Sequence, residues 1–217
     1  MALLKPTLDS ITFDTSDWKL REQSASHRMW MTDLRDAVLL RYFAEQPLYP
    51  YDFRSLEAAR RFYDAQSIEN GGAMISVDFV KVDGIDVMKG LFKYHSPDPR
   101  SMGMYYVGVL AMLYRDFSFQ INTEALEVGE TGAREAAVAL TLNEKSPEEK
   151  EPVHVESMDE LFTLMRSKQV CRISADNEEY DAAFPNHPLS KVRTLQSRIL
   201  KSLKVLDVVR NSEAYRI

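Results

Sequence analysis

Alternation of apolar and polar positions is clearest between Gly71 and Thr123, where four runs are rich in Val, Ile, Tyr and Phe. Such enrichment is typical of β-strands. Asp83-Gly84 separates the first two runs, and this pair tolerates the positive φ angles of a two-residue hairpin turn. A polar, proline-containing segment and Arg115-Asp116 separate the others. The pattern predicts an antiparallel meander of four strands: Ala73 to Val82, Ile85 to Tyr94, Met104 to Tyr114 and Phe117 to Thr123.

Shorter apolar runs before the meander predict an N-terminal β-layer that continues the same sheet. Its strands are expected at Leu8 to Asp14, Trp18 to Gln23, His27 to Thr32 and Asp36 to Phe43. A helix should follow, because Ser55 suits an N-cap and the apolar residues after it recur at helical spacing.

Helical signals dominate the chain after the meander. We expect a helix over Ala133 to Leu142 capped by Thr131, and a capping box at Ser157 to Glu160 opening another. A short strand is predicted at Gln169 to Ser174. Pro188 suits the first turn of a last helix, whose apolar stripe runs as far as Leu206.

The best boundary in the chain is the acidic stretch at residues 144–152, which has little to bury. We therefore divide the chain into a sheet-and-helix part, residues 1–143, an acidic linker, residues 144–152, and a helical C-terminal extension, residues 153–217. The extension is expected to pack on the first part as one globular unit. The predicted class is α+β, with a central antiparallel sheet covered by helices.

Two helices around an antiparallel meander, with hairpins ahead of them, resemble the PsbP and Mog1 families. The resemblance covers Leu8 to Leu142 and lies in element order and patterning. It implies an α/β/α sandwich. Strings such as Gly71-Gly72-Ala73 are also similar to those of bacterial proteins. One bacterial branch of the Mog1-like group resembles chaperones of secretion-system effectors, which implies a protein-binding role.

Composition narrows the class further. The 217 residues carry a net charge of -6, with a pI of about 5.3, which argues against a nucleic-acid partner. Neither a signal-peptide core nor a membrane-length apolar run is visible, so we expect a cytoplasmic protein that does not bind membranes. The single cysteine, Cys171, excludes an intrachain disulfide.

The search for catalytic chemistry finds no nucleophile elbow, phosphate-binding loop, dinucleotide fingerprint or paired-histidine zinc motif. We therefore predict no catalytic residue, no metal ligand and no cofactor. Cys171 is interpreted as a buried structural thiol. The histidines are spaced far apart, so we interpret them as solvated or locally hydrogen-bonded rather than as ligands: His27, His95, His154 and His187.

Two clusters of acidic residues could hold a hard cation or serve acid–base chemistry. One group surrounds the predicted hairpin: Asp78, Asp83 and Asp86. The second is Asp176, Glu178, Glu179 and Asp181, which lacks the order of an EF-hand loop. A solvated acidic loop is the favoured interpretation of the second group.

Surface character gives the stronger functional indication. Tyr49, Tyr51 and Phe53 fall in a proline-punctuated loop, and aromatic residues are enriched at protein interfaces. They could instead fold back and cover one end of the sheet. The basic side of the last helix, with Lys191, Arg198 and Lys201, is a second candidate contact surface.

These features predict a non-enzymatic protein that binds another protein, as an effector chaperone, immunity protein or assembly adaptor; a homodimer is also open. The alternative is a small-molecule-binding protein or enzyme with a pocket between sheet and helix.

Overall fold

The computed structural model describes residues 5–52, 55–143 and 157–216. The acidic linker at residues 144–152 lies outside them. None of the helices in these three ranges is long and apolar enough to span a membrane. The helices are α1 (Leu56–Glu69), α2 (Ala133–Thr141), α3 (Met158–Arg166), α4 (Pro188–Ser202) and α5 (Asp207–Arg210). The strands are β1 (Ile11–Thr12), β2 (Lys19–Gln23), β3 (His27–Met31), β4 (Ala37–Phe43), β5 (Gly72–Val82), β6 (Ile85–His95), β7 (Met104–Leu113), β8 (Ser118–Leu126) and β9 (Lys204–Val205).

The predicted α+β class is confirmed, because seven strands form one antiparallel sheet in the order β2-β3-β4-β8-β7-β6-β5. Strands β5 to β8 are the predicted meander. Its first turn has φ values of 49° at Asp83 and 84° at Gly84, as a type I′ turn requires. β4 pairs with β8, so the N-terminal strands extend the meander on that side. β1 and β9 form a separate pair.

The predicted ends of the helices and the predicted strand at Gln169 to Ser174 agree only in part with the structure. The Ser55 hydroxyl accepts the Ala58 amide of α1 at 3.3 Å, as predicted. The N-cap of α2 is Gly132 at a φ of 77°, however, rather than Thr131. Residues 169–173 form no regular strand. The last helix stops at Ser202, since the chain then becomes extended and pairs as β9 with β1.

The core has a layer on each side of the sheet. On one side, Leu110, Phe119 and Ile121 pack with Ile199 and Leu203 at the end of α4. On the other side, residues of α1 and the loop before it pack on the first part of the meander: Tyr51, Ala59, Tyr63, Val77, Met88 and Phe92. Helices therefore lie on both faces, and the C-terminal extension contributes one of them.

One part of the sheet surface is left half-buried or exposed, because α1 packs chiefly on β5. We call it the open sheet face. Residues opposite one another in the register share a face, which assigns to it the side chains on the α1 side of β3, β4 and β8. It comprises Met29, Met31, Leu39, Arg41, Phe43, Gln120, Asn122 and Glu124.

The two edges of the sheet differ. All five residues of β2 are exposed, and charged side chains recur along this strand. In β5, the Val77 carbonyl accepts the Arg60 guanidinium at 2.8 Å, and the Gly72 carbonyl accepts the Gln169 amide at 3.1 Å. The β5 edge therefore has side-chain partners on its backbone.

Candidate functional site

Polar side chains converge where the meander meets the first turns of α2 and α4. Glu127 follows β8, Glu135 lies in the first turn of α2, and His187 is the N-cap of α4. Their ligating atoms all lie within 4.8 Å of one another. We call these three residues the Glu–Glu–His cluster.

Local sequence fixes the position of His187. Pro188 starts α4, and the His187 Nδ1 accepts the Leu189 amide at 3.3 Å as a side-chain cap. The other ring nitrogen, Nε2, points toward the carboxylates and lies 3.7 Å from Glu135 Oε1 and 3.9 Å from Glu127 Oε1. The His187 side chain is only 8% exposed, and Nε2 has no hydrogen-bond partner among the described residues.

The two carboxylates differ in how they are held. Glu127 accepts the Gly132 amide at 2.8 Å through Oε1 and the Met104 amide at 3.0 Å through Oε2, so it joins β7 to the start of α2. Glu135 Oε1 accepts the Tyr106 hydroxyl at 3.3 Å. Glu135 Oε2 is buried and has no hydrogen-bond partner in the described part of the chain. Both oxygens of Glu127 thus accept backbone hydrogen bonds, whereas Glu135 Oε2 accepts none among the described residues.

Burial sets the protonation of the cluster. Desolvation, reinforced by the nearby Arg134 charge, lowers the pKa of His187 to about 4, so its imidazole is neutral at pH 7. Burial raises the pKa of Glu135, to which the Glu127 charge also contributes. Burial likewise raises the pKa of the Tyr106 hydroxyl, which therefore stays a hydrogen-bond donor. One buried and one partly buried carboxyl group thus face an uncharged ring.

The neighbouring cations are engaged elsewhere. Arg134 is fully buried and forms an ion pair with Asp181 at 2.9 Å, and Arg193 forms another with the same carboxylate at 2.8 Å. Lys93 pairs with Asp176 at 2.6 Å. Among the ion pairs of the described residues, neither glutamate of the cluster has a lysine or arginine partner.

A surface cleft of about 340 Å³ leads to the cluster. Glu127 and His187 line it, together with Arg134, Lys191 and the turn before α4 that contains Pro185 and Asn186. Two members of the cluster therefore lie at the wall of an opening through which a small solute or ion can enter.

The described residues of the aromatic loop pack against the core rather than project as exposed anchors. Tyr51 is only 4% exposed and lies in the α1-side core, with its ring 5.3 Å from that of Phe62. The Tyr49 carbonyl accepts the Tyr215 hydroxyl at 2.8 Å, and the rings of Tyr49 and Tyr215 lie 6.5 Å apart. Phe53 lies outside the described residues. Tyr51 must accordingly be corrected from a contact residue to a core residue, because the loop folds back over the sheet.

The basic side of α4 is largely paired within the chain. Lys191 lies 3.3 Å from Asp36, and Arg198 pairs with Asp14 at 2.9 Å while lying 4.7 Å from the centre of the Trp18 ring. Lys201 is exposed. The structure does not bring these residues together with the aromatic loop, and their role in partner binding stays a prediction.

Two further sequence interpretations are corrected. Cys171 is exposed rather than buried, since it lies in an irregular segment instead of a strand. The second acidic group is not simply a solvated loop, because Asp176 is buried against Lys93, and Asp181 pairs with Arg134 and Arg193.

His27 and His95 lie apart from the cluster. His27 pairs with Glu22 on the surface, and the His95 Nε2 contacts the Lys168 carbonyl at 3.4 Å. His154 lies outside the described residues. Spacing along the sequence missed the role of His187, because its neighbours Glu127 and Glu135 come from other elements. The only local signal was the His187-Pro188 pair at the start of a helix.

Comparison with known proteins gives no family. No family model matches the chain, and no curated protein matches it. A crystal structure from Bacteroides thetaiotaomicron VPI-5482 is similar over 58% of this chain and 42% of that chain, at 11% sequence identity and a TM-score of 0.36. The chain thus covers less than half of that protein, and a likeness this weak carries no functional argument.

Proposed function

We propose that this chain is a non-enzymatic bacterial protein of the cytoplasm that binds another protein, with the open sheet face as the contact surface. The observation that supports the proposal is the half-burial of this face beside a fully packed core. Met29, Met31 and Leu39 contribute apolar area there, whereas their counterparts on the α4 side of β4, Val38 and Leu40, are fully buried.

The chemistry of the face suits protein recognition. A hydrogen-bonded row crosses it, from the Gln120 amide to Asn122 at 2.8 Å and from the Asn122 amide to Glu124 at 3.2 Å. Fixed polar groups between apolar side chains give orientation and specificity at little entropic cost on binding. Arg41 and Phe43 border this row near a cleft of about 350 Å³ that Leu48 and Tyr49 also line. The loop predicted from sequence is therefore adjacent to the surface, although Tyr51 is not part of it.

The test is affinity capture from bacterial lysate with three variants that should leave the fold intact. The open-face variant combines Arg41→Glu with Phe43→Ser, since Phe43 is 37% exposed. Lys201→Glu tests the basic side of α4. Leu140→Ser is the control, because it also removes an exposed apolar side chain but lies away from the face.

We expect one captured protein to be lost with the open-face variant and kept with the other two. Retention of every captured protein by the open-face variant, with an unchanged thermal midpoint, would refute this surface. Selective loss with Lys201→Glu would transfer the proposal to α4. Sedimentation of the purified parent and open-face variant distinguishes a homodimer from a different partner.

A second candidate function, binding of a small solute in a pocket between sheet and helix, is favoured by one observation. The cleft beside α2 and α4 is lined by His187, whose buried Nε2 has no hydrogen-bond partner among the described residues. Ligand pockets typically place a few polar groups of this kind at an otherwise apolar wall.

A further inference from the structure

We propose that the Glu–Glu–His cluster binds one divalent transition-metal ion, such as Zn²⁺ or Mn²⁺. Its protein ligands would be His187 Nε2 and one carboxylate oxygen each from Glu127 and Glu135. The proposal is independent of protein recognition by the open sheet face, because the two sites share no residue.

The geometry is near that of a metal site before contraction around the ion. The ring nitrogen and the nearest glutamate oxygens are 3.7 and 3.9 Å apart. Ligands about 2.1 Å from a metal in tetrahedral arrangement are about 3.4 Å apart. The separation of the two carboxylate oxygens is at most 4.8 Å, so contraction by up to about 1.4 Å would close the site. The adjoining cleft leaves room for water as a further ligand.

Charge supplies the second argument. The buried Glu127 and the partly buried Glu135 lack a basic side-chain partner in the described residues, and the nearby arginines are already paired with Asp181. A divalent cation would neutralise both glutamates at once, whereas a proton on Glu135 would neutralise only one.

The third argument is the pair of unsatisfied atoms. The His187 side chain is more than nine-tenths buried, and its Nε2 points into the cluster without a hydrogen-bond partner among the described residues. Glu135 Oε2 is unsatisfied in the same way. Buried polar atoms usually have partners, so two unsatisfied atoms on residues of one cluster indicate that a further atom belongs there. A mixed nitrogen and oxygen donor set favours Zn²⁺ or Mn²⁺ over Ca²⁺.

Metal binding has a defined consequence for the imidazole tautomer. Nδ1 accepts the Leu189 amide in the described structure, which leaves the ring proton on Nε2. Coordination through Nε2 moves that proton to Nδ1 and ends the bond from Leu189. The bond is long, at 3.3 Å, and the amide belongs to the first turn of a helix, where such donors commonly bind water instead. The switch of tautomer therefore opposes binding only weakly.

The experiment uses the full chain in a Cys171→Ser background, since the exposed thiol would otherwise bind zinc adventitiously. The protein is stripped with a chelator and titrated calorimetrically at pH 7 with zinc chloride and, separately, manganese chloride. Glu135→Gln and His187→Asn test the site. His27→Asn is the matched control, because His27 pairs with Glu22 on the surface at 2.8 Å.

We expect one equivalent of Zn²⁺ or Mn²⁺ to bind, at least about tenfold more weakly in Glu135→Gln and His187→Asn and equally well in the His27→Asn control. In nitrogen NMR of the parent, the His187 proton should move from Nε2 to Nδ1 on binding. The inference is overturned if neither ion binds with a dissociation constant below about 100 μM, or if Glu135→Gln binds like the parent. Should His187→Asn fail to fold, Glu135→Gln and the tautomer measurement still decide.

Discussion

Replacement of Lys93 by Met tests the buried ion pair that joins β6 to the 3-10 turn at Ser174–Asp176, between α3 and α4. The Lys93 and Asp176 side chains are 5% and 1% exposed, and Nζ lies 2.6 Å from Oδ2. The Met side chain has nearly the same length but no charge. Asp176 would then remain as a buried carboxylate without its ammonium partner.

The expected loss of stability follows from that orphaned charge. Breaking a buried pair by removing one partner typically costs about 3 to 5 kcal/mol. Asp176 Oδ2 keeps the Ile173 amide at 2.8 Å, whereas Oδ1 has no hydrogen-bond partner in the described residues even in the parent, so little else compensates the carboxylate. The double variant Lys93→Met with Asp176→Asn keeps an oxygen for Ile173 and removes both charges. It should recover at least about 2 kcal/mol of the loss, because replacing both charges is often nearly neutral.

Urea unfolding at pH 7, followed by circular dichroism, measures these differences. The matched control is Lys81→Met, since Lys81 forms an exposed pair with Asp86 at 3.7 Å. Such a surface pair is worth at most about 1 kcal/mol. The reasoning is refuted if Lys93→Met destabilises the protein no more than Lys81→Met does, or if the double variant is less stable than the single one.

Three other predictions concern different parts of the molecule. Between about pH 6.5 and 4, His187 takes up a proton in the unfolded chain but not in the folded protein, so the free energy of unfolding falls as the pH falls. The raised pKa of Glu135 acts in the opposite direction. Urea unfolding should therefore show that the free energy of unfolding of the chelator-treated parent, relative to that of His187→Asn, decreases by about 2 kcal/mol between pH 7 and 4.5. A constant difference would contradict the burial of the ring. Tyr51→Ser should destabilise the protein by about 3 to 5 kcal/mol, and a thermal midpoint equal to that of Leu140→Ser would show instead that Tyr51 is a surface residue. Gly108→Ala should cost about 1 to 3 kcal/mol in the same assay, since its Cβ would lie 2.5 Å from Thr123 Oγ1 and 2.6 Å from Gln196 Nε2; a neutral effect would mean that α4 does not approach β7 so closely.

Sequence patterns predicted those parts of the fold that depend on neighbouring residues. The Asp83-Gly84 turn and the Ser55 cap are formed within a few positions of chain, so residue type alone indicates them. The end of α4 was less accessible. Leu203 and Val205 are buried after the helix stops, and their apolar character continues the helical pattern into β9.

The candidate site escaped sequence analysis for a related reason. Burial of Tyr51 depends on Phe62 and Tyr63 of α1, which no pattern in its own loop records. The Glu–Glu–His cluster exists only because β8, α2 and α4 meet at one end of the sheet. Spacing along the chain detects ligands on one element, and it cannot detect three that the tertiary fold brings together.

The two edges of the sheet differ in how readily they can accept an additional strand. A further strand docking on β5 would have to displace Arg60 and Gln169 from the carbonyls they already occupy. β2 is the other edge strand and all its residues are exposed, and its charged side chains restrict pairing to a strand of complementary charge. Edge-to-edge association of two copies through β2 would be self-limiting, since each copy would use its one permissive edge and present only the β5 edges outward. Open-ended fibre growth through this sheet is thereby disfavoured, although a closed pair remains accessible.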